Sequence, residues 1–71
     1  MTKYMVNYNI LYCSIDNPKE PAYLLPSTFH KVVERDCLSF EELDSIQHEL
    51  IKYHESSDGI HCPMIVSLYS I

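Results

Sequence analysis

Histidine and cysteine are the residues of this chain with the widest chemistry, because both bind zinc and both take part in nucleophilic catalysis. The chain has four histidines and three cysteines. If the segment after residue 54 folds back, His54, His61 and Cys62 could supply three ligands to a zinc ion. No two cysteines have ligand spacing, and His48 and His54 would point about 120° apart on a helix. We therefore predict neither a metal site nor a cofactor, and keep a small zinc-binding domain as the weaker alternative.

A cysteine nucleophile is the second chemical option, since a thiolate beside a base is reactive at neutral pH. Cys37 and Cys62 are the candidates, but the adjacent His61 and Cys62 would point to opposite faces of a strand. A chain of 71 residues also has little volume for a substrate pocket. Its single glycine cannot build a glycine-rich phosphate loop. The sequence therefore predicts a protein that is not an enzyme.

The cysteine count and the hydropathy pattern indicate the cellular compartment of the protein. Three cysteines without a C-x-x-C pair fit neither a disulfide-stapled secreted domain nor a redox motif. No apolar run approaches the roughly 20 residues of a membrane span. We expect a soluble cytoplasmic protein with reduced thiols and no membrane partner.

The net charge of −5 is the wrong sign for a protein that gains affinity by neutralising phosphates. Direct binding of nucleic acid is therefore not expected. The acidic residues are also unevenly placed, with eight of them against two basic residues between Glu34 and Asp58. This concentration indicates either a solvated acidic helix face or a docking surface for a basic partner.

Three segments have the pattern of β-strands. Residues 3–13 alternate strictly and place Tyr4, Val6, Tyr8, Ile10 and Tyr12 on one face, which we expect to be the core face. Prolines interrupt residues 16–26, which predicts a loop with a short strand at 22–25. Residues 28–35 are the second candidate strand. Residues 64–71 are apolar on both faces and form the last strand, with Pro63 at its start and Gly59 in a left-handed turn before it.

Residues 40–54 have the periodicity of an amphipathic helix. Its start has two signals, a capping box between Ser39 and Glu42 and a hydrophobic staple between Leu38 and Leu43. The residues expected on its apolar side are Phe40, Leu43, Ile46, Leu50, Ile51 and Tyr53.

These elements predict one α+β domain over residues 1–71. The order β-β-α-β favours a three-stranded antiparallel sheet in strand order 2-1-3, with the helix packed on one face. The other face then has no helix over it, and strict alternation puts many apolar residues there. The residues expected on this open face are Met5, Leu11, Cys13, Ile65, Tyr69 and Ile71.

The C-terminal half carries a resemblance to a group of known proteins. The helix S-F-E-E-L-D-S-I-Q-H-E-L-I at 39–51, the short loop after it and the strand I-V-S-L-Y-S-I at 65–71 resemble the ends of many small phage and prophage accessory proteins. The resemblance implies a phage-type protein that acts in the host cytoplasm by binding a host protein. Anti-CRISPR and other anti-defence inhibitors are one such group, and they are commonly small, acidic and not enzymatic.

We therefore predict a small acidic interaction protein, in the manner of a phage inhibitor that occludes a host or defence complex. Its first candidate surface is the acidic helix face, which would dock on a basic partner and consists of Glu41, Glu42, Asp44, His48 and Glu49. Its second is the open sheet face, represented by Met5, Leu11, Ile65, Tyr69 and Ile71. The structural alternative is a homodimer that buries the open face against its copy.

Overall fold

The structure is a computed structural model that describes residues 1–17 and 19–71. Its elements, in chain order, are β1 (Thr2–Ser14), β2 (Tyr23–Leu24), β3 (Phe29–Arg35), α1 (Phe40–Tyr53) and β4 (Gly59–Ser70). The predicted α+β class is confirmed. β4 begins five residues earlier than the sequence predicted, because Gly59 already pairs with Ser14.

β1 is the central strand of an antiparallel sheet. β4 pairs with it from Tyr4 to Ser14 and occupies one edge. β3 pairs along Thr2 to Tyr8, and β2 continues on the same side at Leu11 and Tyr12. Since a strand has only two edges, β2 and β3 share the second one. The order with β1 in the middle is therefore confirmed. The sheet has four strands where three were predicted, because β2 extends the edge formed by β3.

The core lies between the sheet and α1. β1 contributes Val6, Tyr8 and Ile10, which alternate as predicted and are fully or almost fully buried. Ile46 and Leu50, one helical turn apart on α1, pack against them together with Val33. The rim of this core is made of partly buried residues, and these are Tyr4, Leu25, Phe29, Leu38, Ile65 and Leu68.

Half of the predicted capping box at the start of α1 forms. The Ser39 hydroxyl accepts a hydrogen bond from the Glu42 backbone N–H at 3.3 Å. The Glu42 carboxylate does not return this bond, because it lies 2.8 Å from the Arg35 guanidinium. At the other end of α1, the His54 N–H donates to the Leu50 carbonyl.

Three residues expected on the apolar side of α1 are exposed. Tyr53 turns outward and lies under the Lys31 ammonium group, 4.4 Å from the ring centroid. Ile51 is about half covered, since it lies at the margin of the apolar arc. Phe40 is 92% exposed, and nothing in the structure explains it.

Gly59 does not adopt the predicted left-handed conformation, since no described glycine has a positive φ. It is a buried strand residue covered by the Tyr12 ring, whose Cζ and Oη atoms would lie 2.6 Å from an added Cβ. Close approach of an aromatic ring, and not a turn, therefore requires glycine at this position. The sequence predicts Pro63 at the start of the last strand, but it lies inside β4 opposite Ile10. Since β4 is an edge strand, it tolerates a residue without a backbone N–H.

A β-bulge at Val66 interrupts the ladder between β1 and β4. Ser67 pairs with Asn7 and Ile65 pairs with Tyr8, so Val66 has no partner. Direct cross-strand partners share a face, so the extra residue reverses the alternation. Ile65 consequently faces α1 and packs against the core, as does Leu68. The prediction that Ile65 lies on the open face is wrong for this reason.

Candidate interaction surface

The open face is the side of the sheet opposite α1, and it carries the odd-numbered side chains of β1 with their cross-strand partners. Each odd-numbered residue of β1 forms a row with its direct partners on the neighbouring strands, and these rows differ in polarity. The row at Met5 is apolar, with Val32 on β3 and Tyr69 on β4. The row at Leu11 is also apolar, with Leu24 on β2 and Cys62 on β4. Two apolar patches therefore lie on the same face, about 20 Å apart along β1.

Hydrogen-bonded polar side chains separate the two patches. Asn7 donates to the Ser67 hydroxyl at 2.9 Å, and its Oδ1 contacts Nδ1 of His30. Two residues further, Thr28 donates to Oδ1 of Asn9 at 3.4 Å. These bonds link the polar side chains of β1 to residues on both sides of it.

The apolar patches are accessible to solvent. Val32 is 47% exposed and Tyr69 is 52% exposed, while Met5 between them is partly covered. Beyond the second patch, Ile60 opposite Cys13 is 60% exposed. The structure thus brings together every residue predicted for the open face except Ile65, with Ile71 at the end beyond Lys3. Their placement is shown, whereas a role in binding stays a prediction.

The sequence prediction missed several residues of the open face. These are Leu24, Val32, Ile60, Cys62 and Met64. Val32 was ambiguous because the apolar pattern of β3 offers two competing faces. Ile60, Cys62 and Met64 were missed because β4 begins at Gly59 and because its parity changes at Val66. Only the pairing register with β1 could have revealed them.

The acidic helix face is partly neutralised within the molecule. The Arg35 guanidinium at the end of β3 lies 2.8 Å from Oε2 of Glu42 and 2.8 Å from Oε1 of Glu49. The Arg35 side chain is only 17% exposed. Two of the carboxylates predicted to contact a basic partner are therefore already held by a basic residue of the same chain. Reversing the charge of Glu42 or Glu49 would disturb the fold as well as any docking.

The other members of the acidic face remain at the surface. Asp44 and His48 lie one helical turn apart, with 3.5 Å between Oδ2 and Nδ1. The same His48 nitrogen lies 2.8 Å from the Asp44 backbone oxygen. Glu41 has no ion-pair partner within the part of the chain that the structure describes. This leaves a small acidic surface in place of the broad one predicted.

The three residues considered for zinc are divided between the two sides of the sheet. The His54 Nε2 lies 2.6 Å from the Tyr8 hydroxyl, beside the Phe29 ring. His61 packs on the Tyr12 ring on the same side, whereas Cys62 is exposed on the open face. Across residues 1–17 and 19–71, no three His, Cys, Asp or Glu side chains are grouped to hold a metal ion.

A polar cluster that the sequence did not suggest lies between α1 and β4. The Ser56 hydroxyl donates to Oδ1 of Asp58 at 2.6 Å and lies 3.5 Å from Nδ1 of His61. The hydrogen bond from Ser56 lowers the pKa of Asp58 below its usual value. A catalytic triad needs histidine between serine and carboxylate, whereas serine occupies the middle position here. The described residues also enclose no pocket.

Comparison with known proteins gives no relative from which a role could be transferred. No family model matches the chain, and neither a curated protein nor a solved structure is significantly similar to it. Within the described residues, no helix is long and apolar enough to cross a membrane.

Proposed function

We propose that this protein is an interaction module that works without catalysis and binds a protein partner through the open face of its sheet. The observation that supports the proposal is the pair of exposed apolar patches around Met5 and Leu11. Monomeric proteins rarely expose large contiguous apolar areas unless these areas take part in binding. Tyr69, half exposed at the edge of the first patch, is of the residue type most often found at interface hot spots.

The distribution of charge favours the open face over the acidic helix. Arg35 already holds Glu42 and Glu49, which reduces the field that α1 presents to a basic partner. On the open face, the charged residues of the paired rows are Lys3 and Glu34, which lie directly opposite each other. The surface that we propose is therefore almost neutral and suits an apolar partner surface.

The nature of the partner is a separate part of the proposal. The resemblance to small phage accessory proteins favours inhibition by occlusion, in which the module covers a working surface of a host or defence protein. Such an inhibitor needs a rigid binding face more than it needs a cleft. The hydrogen bonds that Asn7 and Asn9 make with residues on both sides of β1 support this role, because they preorganise the middle of the face.

The test compares variants on and off the proposed face. Tyr69→Asp and Val32→Asp each place a charge in the first apolar patch, whereas Phe40→Asp changes an exposed aromatic residue on α1. Tagged wild-type and variant proteins would be expressed in bacterial cells, and the co-purified proteins would be measured by quantitative mass spectrometry. Circular dichroism would confirm that each variant is folded.

We expect the open-face variants to lose specifically bound proteins by at least about tenfold, while Phe40→Asp keeps them. The reason is that a buried carboxylate without a partner is costly at an interface. Equal retention of bound proteins by Tyr69→Asp, Val32→Asp and the wild type would overturn the proposal.

A further inference from the structure

We infer that the open face binds a second copy of this chain, packed face to face about a two-fold axis that crosses β1 between Asn7 and Asn9. The inference rests on the proposed function in taking the open face as the binding surface, and it assigns that face to a second copy of this chain in place of a host protein. Three observations support it: the polarity of successive rows along β1, the charge of the face and its area.

The outer rows of the open face match from either end, because the rows of Met5 and Leu11 are both apolar. The two rows between them are centred on Asn7 and Asn9 and differ on β4, where Ser67 and Met64 are the partners. An axis perpendicular to the strands exchanges the two ends and keeps β4 of one copy over β4 of the other. It therefore places Met5 over Leu11 of the second copy, and Asn7 over Asn9. Apolar rows meet apolar rows, as a self-complementary two-fold interface requires.

The next contacts follow from the same operation. Tyr69 on β4 lies over Cys62 of the second copy, and Val32 on β3 lies over Leu24 of the second copy. Aligned sheets pack about 10 Å apart, which leaves room for these side chains to interdigitate. The aromatic ring of Tyr69 would then be buried against a small thiol, so large and small side chains alternate across the interface.

The charge of the face permits two acidic chains to meet. Each chain carries a net charge of −5, so most surfaces of one copy repel the other. The paired rows of the open face contain one acid and one base, Glu34 and Lys3, in direct opposition. The acids of α1 lie on the opposite side of the sheet. Face-to-face packing is therefore the arrangement that keeps the acidic helices farthest apart.

The area of the face reaches what a stable dimer needs. Three strands about 4.8 Å apart, in a molecule 43 Å long, give a footprint of roughly 600 Å² per copy. Two such faces bury roughly 1,200 Å², the lower limit for a specific stable interface.

Pairing through the free edge of β4 is a less suitable way to join two copies. Pro63 removes one backbone donor from this strand, and the bulge at Val66 distorts its edge. Both features are known to prevent the addition of a further strand. The face, and not the edge, is consequently the surface that we assign to self-association.

The main experiment is sedimentation equilibrium of the purified full chain over a wide range of concentration. We expect a dimer that dissociates on dilution, because the buried area is close to the lower limit. Tyr69→Asp and Val32→Asp should each raise the dissociation constant at least about tenfold, and Phe40→Asp should leave it unchanged. A monomer at every concentration, or a dimer insensitive to both open-face variants, overturns the inference.

A cross-linking experiment tests the arrangement itself. The variant Tyr69→Cys places a thiol near Cys62 of the second copy, so a short bismaleimide should produce a covalent dimer. The same variant with Cys62→Ser should lose most of this product. Cross-linking that persists without Cys62 would rule out the proposed axis.

The two proposals fail in different ways. If the chain is monomeric and Tyr69→Asp still releases co-purified proteins, the face binds a different protein and only the dimer is wrong. If the chain is monomeric and the co-purified proteins are unaffected, both proposals are wrong.

Discussion

The hydroxyl of Tyr8 and the Nε2 atom of His54 lie 2.6 Å apart and join the middle of β1 to the end of α1. Burial lowers the pKa of His54, and the nearby charges of His61 and Lys31 lower it further. Burial also raises the pKa of Tyr8, with a smaller effect from Tyr53. Both pKa shifts favour the neutral forms of the two residues, and a hydrogen bond joins these neutral side chains.

The lowered pKa of His54, caused first by its burial, predicts that the protein loses stability in mild acid. As pH falls through the ordinary histidine pKa of 6.5, the unfolded chain binds a proton at His54 and the folded chain does not. The free energy of unfolding should therefore decrease from pH 6.5 down to the lowered pKa of the folded state, and should not change above 6.5 on account of this group. Urea denaturation on either side of pH 6.5 measures the effect.

Two variants isolate the contribution of His54. His54→Gln should flatten this part of the pH dependence, whereas His48→Gln changes an exposed histidine and should leave the His54 contribution intact. The lowered pKa of Asp58 acts only in stronger acid, below its ordinary value of 3.8, so it does not overlap. An unchanged pH dependence in His54→Gln would show that the titration of His54 is not responsible.

Arg35 joins β3 to α1 through two carboxylates, so its removal should weaken the packing of the helix on the sheet. Arg35→Ala should lower the free energy of unfolding by about 1 to 2 kcal/mol, since both pairs are partly exposed and screened by water. Added salt should reduce the difference between variant and wild type. Lys52→Ala, which removes an exposed basic residue of α1, is the control and should cost less. Equal losses in the two variants would contradict a special role for Arg35.

The elements that the sequence predicted well are those that depend on local periodicity. The alternation from Tyr4 to Ile10 identified the core face of β1, since two-residue periodicity is a property of a single strand. The Ser39 cap and the apolar positions Ile46 and Leu50 identified α1 in the same way. These signals need no knowledge of what the element packs against.

The features that escaped prediction depend on a partner distant in sequence. The sequence places Glu42 where its carboxylate could complete a capping box. In the structure, this carboxylate instead forms an ion pair with the Arg35 guanidinium. The face of Ile65 depends on whether Val66 pairs with β1, which the strand alone cannot reveal. The acidic face was overestimated and the open face misassigned at one residue for this common reason.

A side chain at Gly59 requires the Tyr12 ring to move. In Gly59→Ala, the new Cβ would overlap the Tyr12 ring, and displacement of the ring should cost about 1 to 3 kcal/mol of stability. Tyr12→Ala removes the obstacle, so Gly59→Ala should cost much less in that background. A double-mutant cycle on thermal or urea unfolding measures this coupling. Additive effects would mean that glycine is required here for a reason other than the ring.

The bulge at Val66 predicts an unusual tolerance to deletion. Removing Val66 leaves Ile65 opposite Tyr8 and Ser67 opposite Asn7, so every cross-strand pair and both faces are retained in a regular ladder. Val66 itself is 62% exposed, so little buried area is lost. The deletion variant should therefore fold, with a free energy of unfolding within about 1 kcal/mol of the wild type.

The matched control deletes Asn9 from β1, where no extra residue is present. That deletion must turn one half of the central strand over and move either Val6 and Tyr8 or Ile10 out of the core. We expect it to abolish cooperative unfolding as measured by circular dichroism. If both deletions unfold the protein, Val66 is not a dispensable residue of the ladder. If both fold, the two-residue alternation of β1 does not determine which side chains form the core.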